Sequence, residues 1–192
     1  MLRVLSLIAV LAAPPPSAVK VSKTEVVTFQ PNPPAHGAAQ SGSCWTNSIA
    51  VDRPGAWRCM IGNEIHDPCF SSPAKAEVVC GANPADRAPG FLVHLTEPLP
   101  PEVKHGAPQP WLLELGDGTV CEAVTGTLPP VAGEPARWAC ATADPKVYSF
   151  LSSIHPGKVW TAQRFELAKD PAHAEGFLRK NPRQVELRAV WR

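Results

Sequence analysis

Six cysteines, Cys44, Cys59, Cys69, Cys80, Cys121 and Cys140, constrain this chain more than any other feature. Paired thiols decide which segments must lie together before any packing is considered. The count is even and none precedes Cys44, so three disulfides are the expected outcome, in a compartment outside the reducing cytosol. A metal centre fits poorly: there is no C-x-x-C pair, the gaps are wide, and the six histidines include no i, i+4 pair. Neither a metal nor another cofactor is expected. Cys121 and Cys140 stand apart from the rest and are expected to pair with each other, a constraint on the unfolded chain of about 3 kcal/mol in the loop-entropy description. The other four then pair within residues 44–80, in an order that their spacing leaves open.

The beginning of the chain supports the same compartment. A single cation, Arg3, precedes an apolar run from Val4 to Ala13, which Pro14, Pro15 and Pro16 close. That is the form of a secretory signal, expected over residues 1–18. It is too short for a membrane-spanning helix, which needs about 20 apolar residues, so no span is expected once the signal is removed. Residues 19–43, rich in Pro, Ala, Gly and Ser, read as a flexible tether with a β-like patch at Glu25–Phe29. Residues 44–192 read as a single disulfide-bonded domain.

Twenty-three prolines interrupt helices and interior strands along nearly the whole length. With 44% hydrophobic residues the chain is nonetheless rich enough in apolar surface to build a core. Short strands are therefore expected at 43–51, 77–80, 91–96, 136–141, 147–154, 159–167 and 185–192, with 56–62 either a strand or a helical turn. A hairpin is expected where Trp111–Leu115 and Thr119–Val124 flank Gly116-Asp117-Gly118. One helix is expected after Asp170 as N-cap, with Pro171 in its first turn, Arg179 and Lys180 near its end, and Pro182 closing it. The fold class is mainly β, an antiparallel sandwich or partly open barrel with little helix. Charged residues make up 18% and balance to +1 without a basic stripe, which argues against nucleic acid as a partner.

The segment between the first four cysteines carries the candidate site: Trp57, Arg58, Asn63, Glu64, His66 and Asp67. A carboxylate beside an imidazole can set its tautomer and raise its basicity, as a general base requires. Asp67-Pro68 also opens turns, so turn structure is the preferred reading, ligand contact is second, and no catalytic residue is assigned. Among the six tryptophans Trp57 is expected to be the exposed one, a platform for a sugar ring or peptide. The leading expectation is a secreted domain that binds an extracellular or cell-envelope glycan or protein. The alternatives are a hydrolase using His66, Asp67 and Glu64, and an extracellular inhibitor or envelope-stability protein.

The run CWTNSIAVDRPGAWRCMIGNEIHDPCF, followed by PWLLELGDGTVCEAVTGT, ARWAC and VWTAQ, resembles a group of uncharacterised secreted bacterial proteins with the same order of blocks. The resemblance covers residues 44–192. It implies export and a disulfide-bonded domain, and it brings no activity with it.

Overall fold

The computed structural model describes residues 20–31, 39–107, 109–128, 131, 135–144, 146–172 and 176–192. The secretory signal expected over 1–18 lies outside the described residues. The chain is all β, in two small barrel-like sheets. The first contains β2 (Gln40–Asn47), β3 (Ala56–Ile61), β4 (Glu64–Ser71), β5 (Glu77–Cys80) and β6 (Phe91–Leu95), and the second contains β7 (Leu112–Leu115), β8 (Val120–Ala123), β9 (Trp138–Cys140), β10 (Ser149–His155), β11 (Trp160–Lys169) and β12 (Phe177–Trp191), joined by β1 (Glu25–Val27).

Strands β2 to β6 run as an antiparallel meander, and the barrel closes by parallel pairing of β2 with β6, Gln40 opposite Val93 and Gly42 opposite Leu95. Its interior is filled by two cystines, Cys44–Cys59 and Cys69–Cys80, packed with Trp57, Ile61, Val78 and Val93. Closure depends on Gly42, because a Cβ there would lie 2.6 Å from the Met60 carbonyl oxygen and 3.2 Å from Val93.

In the second sheet β7 to β12 follow one another antiparallel. Strand β12 closes the ring: Phe177–Leu187 pair with β11, while Ala189–Trp191 pair with β7 on one side and, in parallel, with β1 on the other. The Cys121–Cys140 disulfide joins β8 to β9, as expected, within a core that includes Leu113, Leu115, Leu151 and Leu187. The hairpin at Gly116-Asp117-Gly118 also forms as expected, with Gly118 at φ 83° and the Leu115 N–H donating to the Thr119 carbonyl.

A shared apolar cluster joins the sheets. Val51, Ala56 and Phe70 from the first meet Trp111, Leu112, Ala189 and Trp191 from the second, and Phe29, Phe70 and Trp111 pack ring against ring at 5.5–5.9 Å. Over Phe70, at 4.6 Å, lies the guanidinium of Arg53, which donates to the Phe29 and Arg192 carbonyls. Partial burial lowers the pKa of Arg53 from its ordinary value, because the charged form is desolvated there. The connector from β6 to β7 is held against the first barrel by Asp52, whose carboxylate takes bonds from His105 and the Gly106 N–H, and by Asn47, which bonds Pro101 and Val103.

Three expectations are corrected. The helix after Asp170 is not what residues 177–180 form: Phe177–Lys180 are strand, paired with Lys169–Glu166. Pro182 does not end the element, because two residues, Asn181 and Pro182, face one on β11 at a bulge, where a missing N–H is tolerated; Asn181 there takes φ 50°. Residues 20–31, read as tether, are integrated into the second sheet: Val21 and Thr24 are buried, and the Thr24 hydroxyl donates to the Leu187 carbonyl while accepting from the Trp160 N–H.

Gly42→Ala is expected to cost about 1–3 kcal/mol, because the methyl group must push backbone apart. Gly126→Ala, where an added Cβ meets nothing within 4 Å, should stay within about 0.5 kcal/mol of the parent by urea denaturation. A second expectation concerns pH. The bond from His105, reinforced by Gly106, lowers the Asp52 pKa below its ordinary 3.8. A depressed folded-state pKa stabilises above the unfolded value and stops doing so as pH falls through the folded one. The melting-temperature deficit of Asp52→Asn should therefore be full at neutral pH and vanish in acid below that depressed value; a pH-independent deficit would exclude the charge as its source.

Candidate functional site

Alternation along strands decides where each predicted site residue lies. Strand β4 carries Glu64, Ile65, His66 and Asp67 in succession, so Glu64 and His66 share one face while Ile65 and Asp67 share the other. Gly62 and Asn63 form a turn, whereas the turn expected to open at Asp67-Pro68 does not form: the strand continues through Asp67 and a cis Pro68. His66 lies opposite the inward Cys59, edge-on to Phe91 with ring centroids 5.3 Å apart, and its Nε2 is 3.6 Å from the exposed Glu64 carboxylate. Asp67 is on the far side of the sheet from that pair, so these three residues do not converge.

Asp67 organises the outer side. Its side chain is fully buried and meets Arg58 Nη1 at 3.0 Å, the Ser48 hydroxyl, and the Ile49 N–H at 3.2 Å. Ser48 in turn accepts the N–H groups of Ala50 and Val51, which ties the loop after β2 onto β4. Arg58 also donates to the Thr125 carbonyl at the end of β8, so one guanidinium bridges the two sheets. This is an ion pair made for architecture, in which both oxygens of the buried carboxylate accept hydrogen bonds.

Trp57 is not the exposed tryptophan. It is 3% exposed, lies opposite Cys69 in the barrel interior, and donates its indole N–H to the Ser71 hydroxyl at 2.8 Å. The exposed ring is Trp45, at 47%, sitting at the bulge between Cys44 and Thr46 with Arg58 5.8 Å from its centroid. Beside it Met60 and Ile65 face each other across β3 and β4 and are 37% and 50% exposed. Ile49, on the loop tied to Asp67, extends the same outer side. Sequence reasoning missed this strip, although a signal existed: Trp45 follows Cys44 and Met60 follows Cys59, and a neighbour of an inward cysteine on a strand points outward. Trp57, two residues from Cys59, had to point inward by the same rule.

Close imidazole–carboxylate pairs do form at the first barrel, His94 Nδ1 of β6 3.1 Å from Glu77 of β5 and His105 Nδ1 2.9 Å from Asp52, but neither pair includes Glu64, His66 or Asp67. The sulfurs of Cys59, Cys69 and Cys80 do lie within 4.8 Å of one another, but each is half of a cystine, and metal binding needs thiolate.

Arg58→Ala should destabilise the protein by about 2 kcal/mol, the worth of a charge-assisted bond to a buried group, because Asp67 would lose its cation. Glu64→Gln, at an exposed carboxylate, should change the urea midpoint little; equal losses in the two variants would refute the structural role assigned to Asp67 and Arg58.

No protein-family model, no curated protein and no solved structure matches this chain, so the geometry of the site stands on its own residues.

Proposed function

We propose that the protein works outside the cytosol as a binding domain, and that it engages a protein partner through the outer face of β2, β3 and β4. The observation that carries this reading is the exposure of Trp45, Met60 and Ile65 on the neighbouring strands β2, β3 and β4 of a cystine-filled barrel. Apolar side chains of this size exposed together on one face mark interaction surfaces in soluble domains. Trp, Met and Arg are also the residue types enriched at the centres of protein–protein interfaces. Asn63, exposed on the adjoining reversal, adds to the polar rim that such a centre requires.

The disulfide chemistry supports this compartment. Three cystines account for all six cysteines, and bonds of this kind are maintained where glutathione does not reduce them. Among the described residues no helix is long and apolar enough to cross a membrane. The hydrolase alternative needs His66 and Asp67 on one side of the sheet, and β-strand alternation separates them.

The test begins with the refolded, oxidised chain as bait against secreted and envelope proteins from the same source, and continues with a purified partner. Trp45→Ala should weaken that partner by about 30-fold, as truncation of a central tryptophan does. Ile65→Ser should also weaken it, with melting temperatures preserved in both variants. A partner whose affinity neither variant changes would place recognition elsewhere, and failure to retain any partner at micromolar concentration would defeat the proposal.

A further inference from the structure

The second barrel has a basin of about 610 Å³ at the end where β10, β11 and the start of β12 meet. Its volume lies in the range of small-molecule sites, and its walls are apolar: Phe150, Leu167, Phe177 and Leu128. These side chains come together by register. Phe150 pairs with Phe165 and stacks on it at 6.3 Å, the Leu167 N–H donates to the Tyr148 carbonyl, and Phe177 lies opposite Lys169.

The same register brings cations to the rim. Lys146 and Lys169 lie at the open end of the β10–β11 pairing and line the mouth of the basin with Tyr148, which is 61% exposed. Neither lysine forms an ion pair among the described residues. The carboxylate nearest Lys146 in sequence, that of Asp144, accepts the Lys146 backbone N–H at 2.9 Å and closes a turn. A third cation lies on the same face: Arg179 pairs in register with Leu167, and its guanidinium is 4.5 Å from the Phe165 ring centroid. Its Nε and Nη2 are shut off from solvent without a hydrogen-bond partner. An apolar cavity with positive charge at its mouth and beside its wall is complementary to a molecule with an apolar chain and one anionic end.

We propose that this basin binds a free long-chain carboxylate as a monomer, its head between Lys146 and Lys169 and its chain along Phe150 and Leu167. The Tyr148 hydroxyl stands at the rim as a donor to the head, and the Arg179 charge adds to the attraction from behind Phe165. A monomer is favoured over a bilayer surface because the apolar residues line a concavity, whereas insertion into a membrane calls for apolar residues that protrude. This site lies in the other barrel from the Trp45 strip and does not depend on it.

The experiment is calorimetric titration of the full oxidised chain with dodecanoate below its micelle concentration, beside dodecanol, which keeps the chain without the charge, and butyrate, which keeps the charge without the chain. Anionic phospholipid vesicles form a fourth arm. Dodecanoate is expected to saturate one site, with dodecanol and butyrate each weaker by about tenfold or more. The double variant Lys146→Gln, Lys169→Gln should lose about tenfold for dodecanoate alone while melting like the parent. Leu167→Asn should weaken dodecanoate and dodecanol together, and the nuclear magnetic resonance shifts induced by dodecanoate should map to β10 and β11. Equal affinity for dodecanoate and dodecanol, an unaltered constant in the double variant, binding seen with vesicles only, or no binding would each overturn the proposal.

Discussion

Each cystine in this protein joins residues directly opposite one another on neighbouring antiparallel strands: Cys44 with Cys59, Cys69 with Cys80, and Cys121 with Cys140. A covalent link at paired positions does more than shorten the unfolded chain. It fixes strand register, and in a sheet with one buried face a slip of one residue would turn every side chain to the other side. In the first barrel both bonds point inward, which sends Trp57 to the core with them and leaves Trp45, Met60 and Ile65 outside. The exposed strip is thus a consequence of the sulfur placement. Five strands of four to eight residues enclose too little apolar volume for a large conventional core, and the cystines occupy much of what there is.

Neither barrel is isolated from the other. The junction uses Phe29, Phe70 and Trp111, whose mutual tilts of 56–66° are near the edge-to-face geometry that aromatic quadrupoles favour. Arg53 caps this group and bonds carbonyls from both ends of the chain, and Arg58 spans from Asp67 to Thr125. These arginines work through fixed bonds to carbonyls and a buried carboxylate, so the junction is both apolar and oriented. Strand β12 completes it, because its last residues serve β1 and β7 at once.

Much of the fold was legible in the sequence where the signal was local. The β7–β8 hairpin carried its own turn chemistry, and β5, β6, β10 and β11 showed the residue types that suit pleated surfaces. The failures share a cause. A helix after Asp170 was inferred from capping residues, but the partner strand β11 decided the conformation of Phe177–Lys180, and a bulge removed the objection to Pro182. Asp67-Pro68 looked like a turn opener, yet β3 pairs on either side of it, at His66 and Cys69, and the strand runs through a bulge there. Tertiary pairing overrode local preference in both places. The site suffered for the same reason: Glu64, His66 and Asp67 are neighbours in sequence, and it is extension of the backbone that divides them between two faces.

Charge illustrates the limit of composition most sharply. A net charge of +1 describes a sum, and sums do not say which cations are already engaged. Arg58, Arg164 and Arg188 are each matched to a carboxylate, of Asp67, Asp117 and Glu114. Lys146 and Lys169, separated by a whole hairpin, face a common apolar basin without such a partner among the described residues. The pairing of Ser149 with Glu166 that sets this hairpin also brings the two lysines to the same basin. Like charges held side by side repel, and water screens them only in part when apolar walls stand between. An anion arriving at this basin would therefore gain from both lysines at once.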